Sequence, residues 1–225
     1  MRARKKKHTD SRLERVSDYF VPNIPGDEGE IRVEVGCGKG KFITAMAKDH
    51  PQIRFYALEK VADVIVMAAE AAAKEGIPNL RFLLHDAKDL TEGVDRKFVR
   101  LSDDGTPVFE DVPHEALCPA GAVSVLYLNF SDPYPRNKHA SLRLTHAGFL
   151  EKYRTILTPD GHIEFKTDNQ PLFEFSKEQF LSCGYTLYDV TEDLHHSGIA
   201  NPYMTEYETR FSSQGLPIYA LKAKP

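Results

Sequence analysis

The stretch Glu34-Val35-Gly36-Cys37-Gly38-Lys39-Gly40 sets an acid two residues ahead of three alternating glycines, a composition that lets a backbone turn sharply and approach a ligand. A phosphate-binding P-loop needs Ser or Thr after Gly40-Lys41, where Phe42 stands. A dinucleotide fingerprint needs a third glycine where Lys41 stands. The pattern that remains suits an adenosyl amino acid, which has no pyrophosphate to seat at a helix N-terminus. Glu34 then faces the methionine end of that ligand. Glu59, 25 residues further on, is placed to accept from both ribose hydroxyls, and Asp86 from the adenine amino group. The expected cofactor is S-adenosylmethionine, whose sulfonium charge suits an acidic pocket.

Three further stretches are dense in polar and aromatic side chains. They are Asn129-Phe130-Ser131-Asp132-Pro133-Tyr134-Pro135-Arg136, Phe165-Lys166-Thr167-Asp168-Asn169 and Thr205-Glu206-Tyr207-Glu208. His195-His196 lacks a third ligand at metal spacing, so no metal is expected. Cys37 fits its loop by small size, and Lys166 has no assigned role.

These residues need elements to hold them, and the hydrophobic pattern supplies them. Ile31–Val35, Ile53–Leu58, Leu80–Leu84, Ala122–Asn129 and Ile163–Lys166 read as strands. Phe42–Lys48, Val61–Lys74, Leu142–Leu157 and a stretch from Pro171 to Gly184 read as helices, Gly76 closing the second and Pro171 opening the last. Strands alternating with helices imply a parallel sheet with right-handed crossovers, and ligands bind at the carboxyl ends of such strands. Glu34, Glu59, Asp86, Asp132 and Asp168 each fall at or just past one of those ends. Tyr185–Val190, Tyr207–Phe211 and Ile218–Ala220 are expected to add antiparallel edge strands. The fold class is therefore α/β, a mostly parallel sheet with helices on both faces.

A length of 225 residues, with 41% hydrophobic and 28% charged side chains, fits one globular domain. That domain is expected over residues 21–225, behind a mobile basic arm at 1–20. Residues 1–16 carry seven basic and two acidic side chains, while the whole chain is −4. Lys97–Leu101 and Pro107–Asp111 flank Ser102–Thr106 as a hairpin, within an acidic insertion near 89–118. No apolar run is long enough for a membrane span, and Cys37, Cys118 and Cys183 do not pair into a disulfide framework. A cytoplasmic protein is expected, either monomer or homodimer.

From about Glu34 onward the chain resembles the bacterial tRNA (guanine-N7)-methyltransferases of the class I S-adenosylmethionine-dependent superfamily. Glu34-Val35-Gly36, Leu58-Glu59-Lys60, His85-Asp86-Ala87, Leu128–Pro133, Phe165–Asn169, Asp193-Leu194-His195 and Thr205–Glu208 carry the resemblance, in that order. It implies a Rossmann-like, mostly parallel seven-stranded sheet, and methylation of N7 of guanine 46 in the tRNA variable loop. By position, Glu34, Gly36, Gly38, Gly40, Glu59, Asp86 and Asp132 would hold the cofactor, with Asp132 also catalytic. Arg136, Asp168, Thr205, Glu206, Tyr207 and Glu208 would contact the guanosine. The family's Asp-Pro-Trp-Pro reads Asp132-Pro133-Tyr134-Pro135 here, and its basic run is reduced to Asn137–Arg143 with two fixed charges. The basic arm at residues 2–15 would compensate for that loss. Two other readings are a methyltransferase acting on a small molecule or protein, with a deep closed pocket behind Asp132, and a non-catalytic tRNA-binding scaffold.

Overall fold

The computed structural model describes residues 8–26, 29–92, 94–102 and 106–225, with the backbone alone for 92, 94–101, 107 and 109–115. Five strands form the parallel part of one sheet: β1 (Ile31–Val35), β2 (Arg54–Leu58), β3 (Leu80–Leu83), β6 (Val123–Asn129) and β7 (Leu157–Thr167). The hairpin strands β4 (Val94–Leu101) and β5 (Pro107–Glu115) pair antiparallel outside that sheet. With β8 (Thr186–Thr191) and β9 (Tyr219–Lys224), the main sheet runs β3-β2-β1-β6-β7-β9-β8, and β9 is antiparallel to both neighbours. This is the expected seven-stranded, mostly parallel sheet.

Burial follows position. β1 at the centre has four of its five residues buried, while β8 at one edge has none. That is why the central strands read as continuous apolar runs. At the other edge, β3 is covered by the chain entering the domain: Phe20 bridges Phe82, and the Val21 amide donates to the Phe82 carbonyl at 3.1 Å. That contact covers part of an edge that another chain could otherwise join.

Helices cover both faces. α2 (Lys41–Asp49) and α3 (Ala62–Glu75) bury Ile43, Ala47, Ile65 and Ala69 on one side. α5 (Ala147–Ile156) and α6 (Gln170–Ser182) bury Leu150, Tyr153, Phe173 and Phe180 on the other. Gly76 ends α3 with φ of +64°, in the left-handed region that favours glycine. Between α5 and the straight part of β7, Gly161 lets the chain pass so near β6 that an added Cβ would sit 2.8 Å from the Val123 carbonyl oxygen. α4 (Asp89–Glu92) opens the insertion, and its Leu90 is buried in the core.

Four expectations change. The segment beginning at Leu142 is first a 3₁₀ turn (Asn137–Leu142), and the helix starts only at Ala147, where the His146 ring nitrogen accepts the Gly148 amide as a cap. The hairpin strands are longer than expected, and residues 103–105 of its turn lie outside the described residues. Tyr207–Phe211 is not a strand. It lies in α7 (Glu206–Ser212), because the Thr205 hydroxyl oxygen accepts the Glu208 amide at 3.0 Å and starts a helix there. Residues 9–15 of the basic arm form α1 (Thr9–Arg15), which docks on α3 through a bidentate Arg12–Glu70 pair at 2.5 and 2.8 Å with Leu13 buried beneath. Residues 1–7, which carry five of the seven basic side chains, lie outside the described residues.

Candidate active site

The strand order reverses between β1 and β6, and a cleft of about 1070 Å³ opens at the carboxyl ends of the strands there. Glu34 from β1, Glu59 after β2, Asp86 after β3 and Asp132 after β6 all line it, as do Gly36 and Gly38. Both glycines have positive φ (+78° and +57°), and a Cβ on either would meet nothing within 4 Å. The loop is therefore an open cradle along that wall. Gly40 is not among the residues lining the cleft; at φ of +77°, its Cβ would lie 2.7 Å from that of Ala68, so it lets α2 sit against α3.

Glu34 forms the cleft floor. It is 1% exposed; one carboxylate oxygen accepts from the Asn129 side chain at 2.9 Å, and the other has no hydrogen-bond partner among the described residues. Ser131 and Asn129 each leave a buried oxygen unpartnered at the same floor. Three orphaned polar atoms together mark a place built for a polar ligand. Burial lifts the Glu34 pKa from 4.5 to about 8; the Asn129 bond and the Lys166 charge oppose the rise, while Glu206 and Glu59 add to it. A cationic ligand beside the unpartnered oxygen would reverse that burden.

The consequence for stability is testable. A carboxyl whose pKa is raised on folding binds its proton more tightly in the folded state, so stability falls as pH rises from about 4.5 to about 8. The loss is on the order of 4 kcal/mol by the end of that window. Glu34→Gln will flatten this dependence, measured as urea midpoints of the ligand-free protein at pH 5 and pH 8. Parallel wild-type and variant profiles would refute it.

Glu59 ties the cradle together. One oxygen accepts the amides of Lys60 and Val61 at 2.8 and 3.0 Å, and the other accepts the Gly38 amide at 3.3 Å. Lys60 lies 3.6 Å from Asp86; despite partial loss of hydration, it is held above its ordinary pKa by Asp86, Tyr134 and Asp132. Burial pushes the Cys37 thiol well above its usual range, with Glu34 and Glu59 adding to the effect, so it is no nucleophile.

Asp132 is exposed at the cleft mouth, and among the described residues nothing hydrogen-bonds its carboxylate. Its loop is strained: Phe130 and Tyr134 have φ of +52° and +40°. Tyr134 precedes Pro135, which already restricts it. Such conformations cost on the order of 1–3 kcal/mol each and persist only where surrounding contacts impose them.

Thr205, Glu206 and Tyr207 line the cleft from α7 and its cap. Tyr207 is 61% exposed and stacks between Phe130 and Phe211, with centroids 6.4 Å from each. Glu208, expected on the guanosine, is fully buried and faces away. Its oxygens take the Lys166 ammonium at 2.8 Å and the Asn201 amide, with His195 at 3.4 Å. It anchors α7 from inside the protein. Arg136 and Asp168 are exposed but do not line the cleft. Lys39, Lys60, Lys88, Lys152 and Arg210 do line it, from separate elements. Sequence reading missed them as a group because they never cluster along the chain.

No helix of the described residues is long and apolar enough to cross a membrane, and none of their side chains form a metal-binding group of three. Over residues 28–100 and 112–221 the chain matches the family model described as "Putative methyltransferase". It is 43% identical over 199 residues to the tRNA (guanine-N(7)-)-methyltransferase of Brevibacillus brevis, covering 88% of this chain and 82% of that one. It is 37% identical to the protein of that name from a Geobacillus species, covering 100% of this chain and 96% of the relative. A solved SAM-dependent methyltransferase of Aquifex aeolicus shares the fold, with a TM-score of 0.53 at 15% identity over 95% of this chain and 92% of that one. By that family match and those identities, the chain belongs to the tRNA (guanine-N7)-methyltransferases.

Proposed function

We propose that this protein transfers a methyl group from S-adenosylmethionine to N7 of guanine 46 in the variable loop of tRNA, in the cytoplasm. The observation that carries the reading is one cleft bordered by Glu34, Glu59, Asp86 and Asp132 at the ends of four strands, with an unpartnered Glu34 oxygen on its floor. The names of its relatives support tRNA as the substrate.

The residues fit the cofactor. Gly36 and Gly38 give it backbone room, Glu59 and Asp86 offer acceptors to ribose and adenine, and Glu34 faces the methionine end. Bound S-adenosylmethionine supplies an electrophilic methyl group. Guanine N7 already presents a lone pair, so no side chain has to remove a proton to create the nucleophile. The imidazole ring gains positive charge as the methyl arrives, and the Asp132 carboxylate stabilises that charge as it develops. Thr205, Glu206 and Tyr207 hold the guanosine so that N7 meets the methyl in line. The exposed position of Asp132 suits a base presented by a macromolecule better than a small molecule sealed behind it.

Lys39, Lys60, Lys88, Lys152 and Arg210 take over the phosphate contacts that the short basic run at 137–143 lacks. The test is transfer of labelled methyl to unmodified tRNA transcripts with and without guanine at position 46, followed by nucleoside analysis. 7-Methylguanosine only in the guanine-bearing transcript supports both reaction and site. Labelling of both transcripts overturns the position, and labelling of neither overturns the substrate.

A further inference from the structure

We infer that Arg143 is a positioning residue for methyl transfer: it pins the strained loop after β6 to helix α6 and so fixes Asp132 in the cleft. The inference rests on the role of Asp132 proposed above. In sequence Arg143 belongs to the remnant of a basic run and invites a phosphate contact. Its geometry is different. The Arg143 Nε donates to the Pro133 carbonyl at 3.0 Å and its Nη2 to the Tyr134 carbonyl at 3.0 Å. Two donors of one planar group therefore grip consecutive carbonyls directly after Asp132, a geometry that a lysine cannot reproduce.

The other side of the guanidinium is equally engaged. It lies 4.2 Å from the centre of the Phe175 ring on α6, and His146 stacks on that ring at 6.4 Å. The backbone carrying Arg143 is tied to the same helix twice more. Thr145 and Ser176, both fully buried, share a hydroxyl hydrogen bond at 2.7 Å, and the Ala147 amide donates to the Gln179 side chain at 2.9 Å. Arg143 thus connects a rigid, buried anchor to a loop in which Phe130 and Tyr134 hold left-handed backbones. Without that connection, nothing in the loop's own sequence favours φ of +40° at a tyrosine before proline. The loop would relax, and Asp132 with it.

The test compares wild type with Arg143→Ala, Arg143→Lys and Phe175→Leu in steady-state methyl transfer to tRNA, alongside S-adenosylmethionine affinity by calorimetry. The expected result for Arg143→Ala is a fall in kcat of about 10²-fold, the scale on which an ångström of misplacement acts. KM for tRNA and its salt dependence should stay unchanged, and cofactor affinity should fall far less than kcat, since Glu34, Gly36 and Gly38 are untouched. Arg143→Lys should recover only part of kcat, because its ammonium keeps the charge without the paired donors. Phe175→Leu, which keeps the core filled but removes the ring face, should fall between wild type and Arg143→Ala. A raised KM with a shallower salt slope and unaltered kcat would make Arg143 a phosphate contact and overturn the inference. Full recovery by lysine would overturn it too. If Arg143→Ala fails to bind the cofactor at all, Arg143→Lys and Phe175→Leu decide, and unchanged kcat in both refutes the clamp. Absence of transfer by the wild type would instead strike the proposed function itself.

Discussion

Asp132→Asn is expected to lower kcat for methyl transfer by about 10²–10³-fold, with little change in stability. The exchange keeps the size of the side chain and removes its charge. In the mechanism proposed above, the carboxylate acts as positive charge develops on the purine ring, so the prediction isolates its charge from its size. Because guanine N7 needs no deprotonation, the loss should not be recovered by raising pH, which separates this role from that of a general base. The stability expectation follows from exposure, since substitutions of exposed, unbonded side chains shift unfolding by about 0.5 kcal/mol or less. Single-turnover transfer and thermal unfolding measured on the same preparation check both halves. Undiminished turnover would remove Asp132 from the mechanism.

Lys166→Met should do the opposite, damaging stability first. The Lys166 ammonium bonds Glu208 at 2.8 Å, Asn201 at 3.0 Å and the Tyr203 carbonyl at 3.3 Å, and it lies 4.9 Å from the Phe42 ring centre. Removing it leaves the fully buried Glu208 without its counter-charge, a loss of about 3–5 kcal/mol. For a domain of this size that corresponds to a fall in melting temperature of roughly 6–20 °C. The pair also fastens α7 to β7, so the loss should extend to the cleft wall formed by Thr205, Glu206 and Tyr207. Lys166→Met combined with Glu208→Leu should regain much of the melting temperature, because a buried ion pair is often replaceable by apolar side chains. A single variant that melts within about 2 °C of wild type, a shift of 1 kcal/mol or less, would show that the pair is not the anchor.

Much of this architecture was legible because its signals are local. The glycine loop, the apolar runs and the carboxylates at strand ends each depend on a few neighbouring residues, and Glu34, Glu59, Asp86 and Asp132 do line one cleft. Asp168 obeys the same strand-end rule and stays outside, since the rule gives height along the sheet and not position across it. β7 lies one strand beyond the β1/β6 boundary. Tyr207, Thr209 and Phe211 alternate as a strand would, yet the Thr205-x-x-Glu208 start signal outweighed that period and gave a helix. The purpose of Glu208 could not be read at all, because Lys166, its partner, lies 42 residues earlier. For Arg143 the sequence shows a charge, and only the fold shows that two of its donors bond the carbonyls of Pro133 and Tyr134.

The placement of β9 bears on how the molecule is made. Last of the strands in chain order, it is inserted between β7 and β8. While the polypeptide emerges from the ribosome, the five parallel strands can assemble in sequence. Through that interval the outer side of β7 has no neighbour, and β8 has no ladder to join. Residues 219–224 then supply both sets of missing hydrogen bonds in one step. Completion of the sheet is thus deferred until residues 219–224 have emerged, and a chain not yet extended that far carries an open edge suited to pairing with another copy of itself.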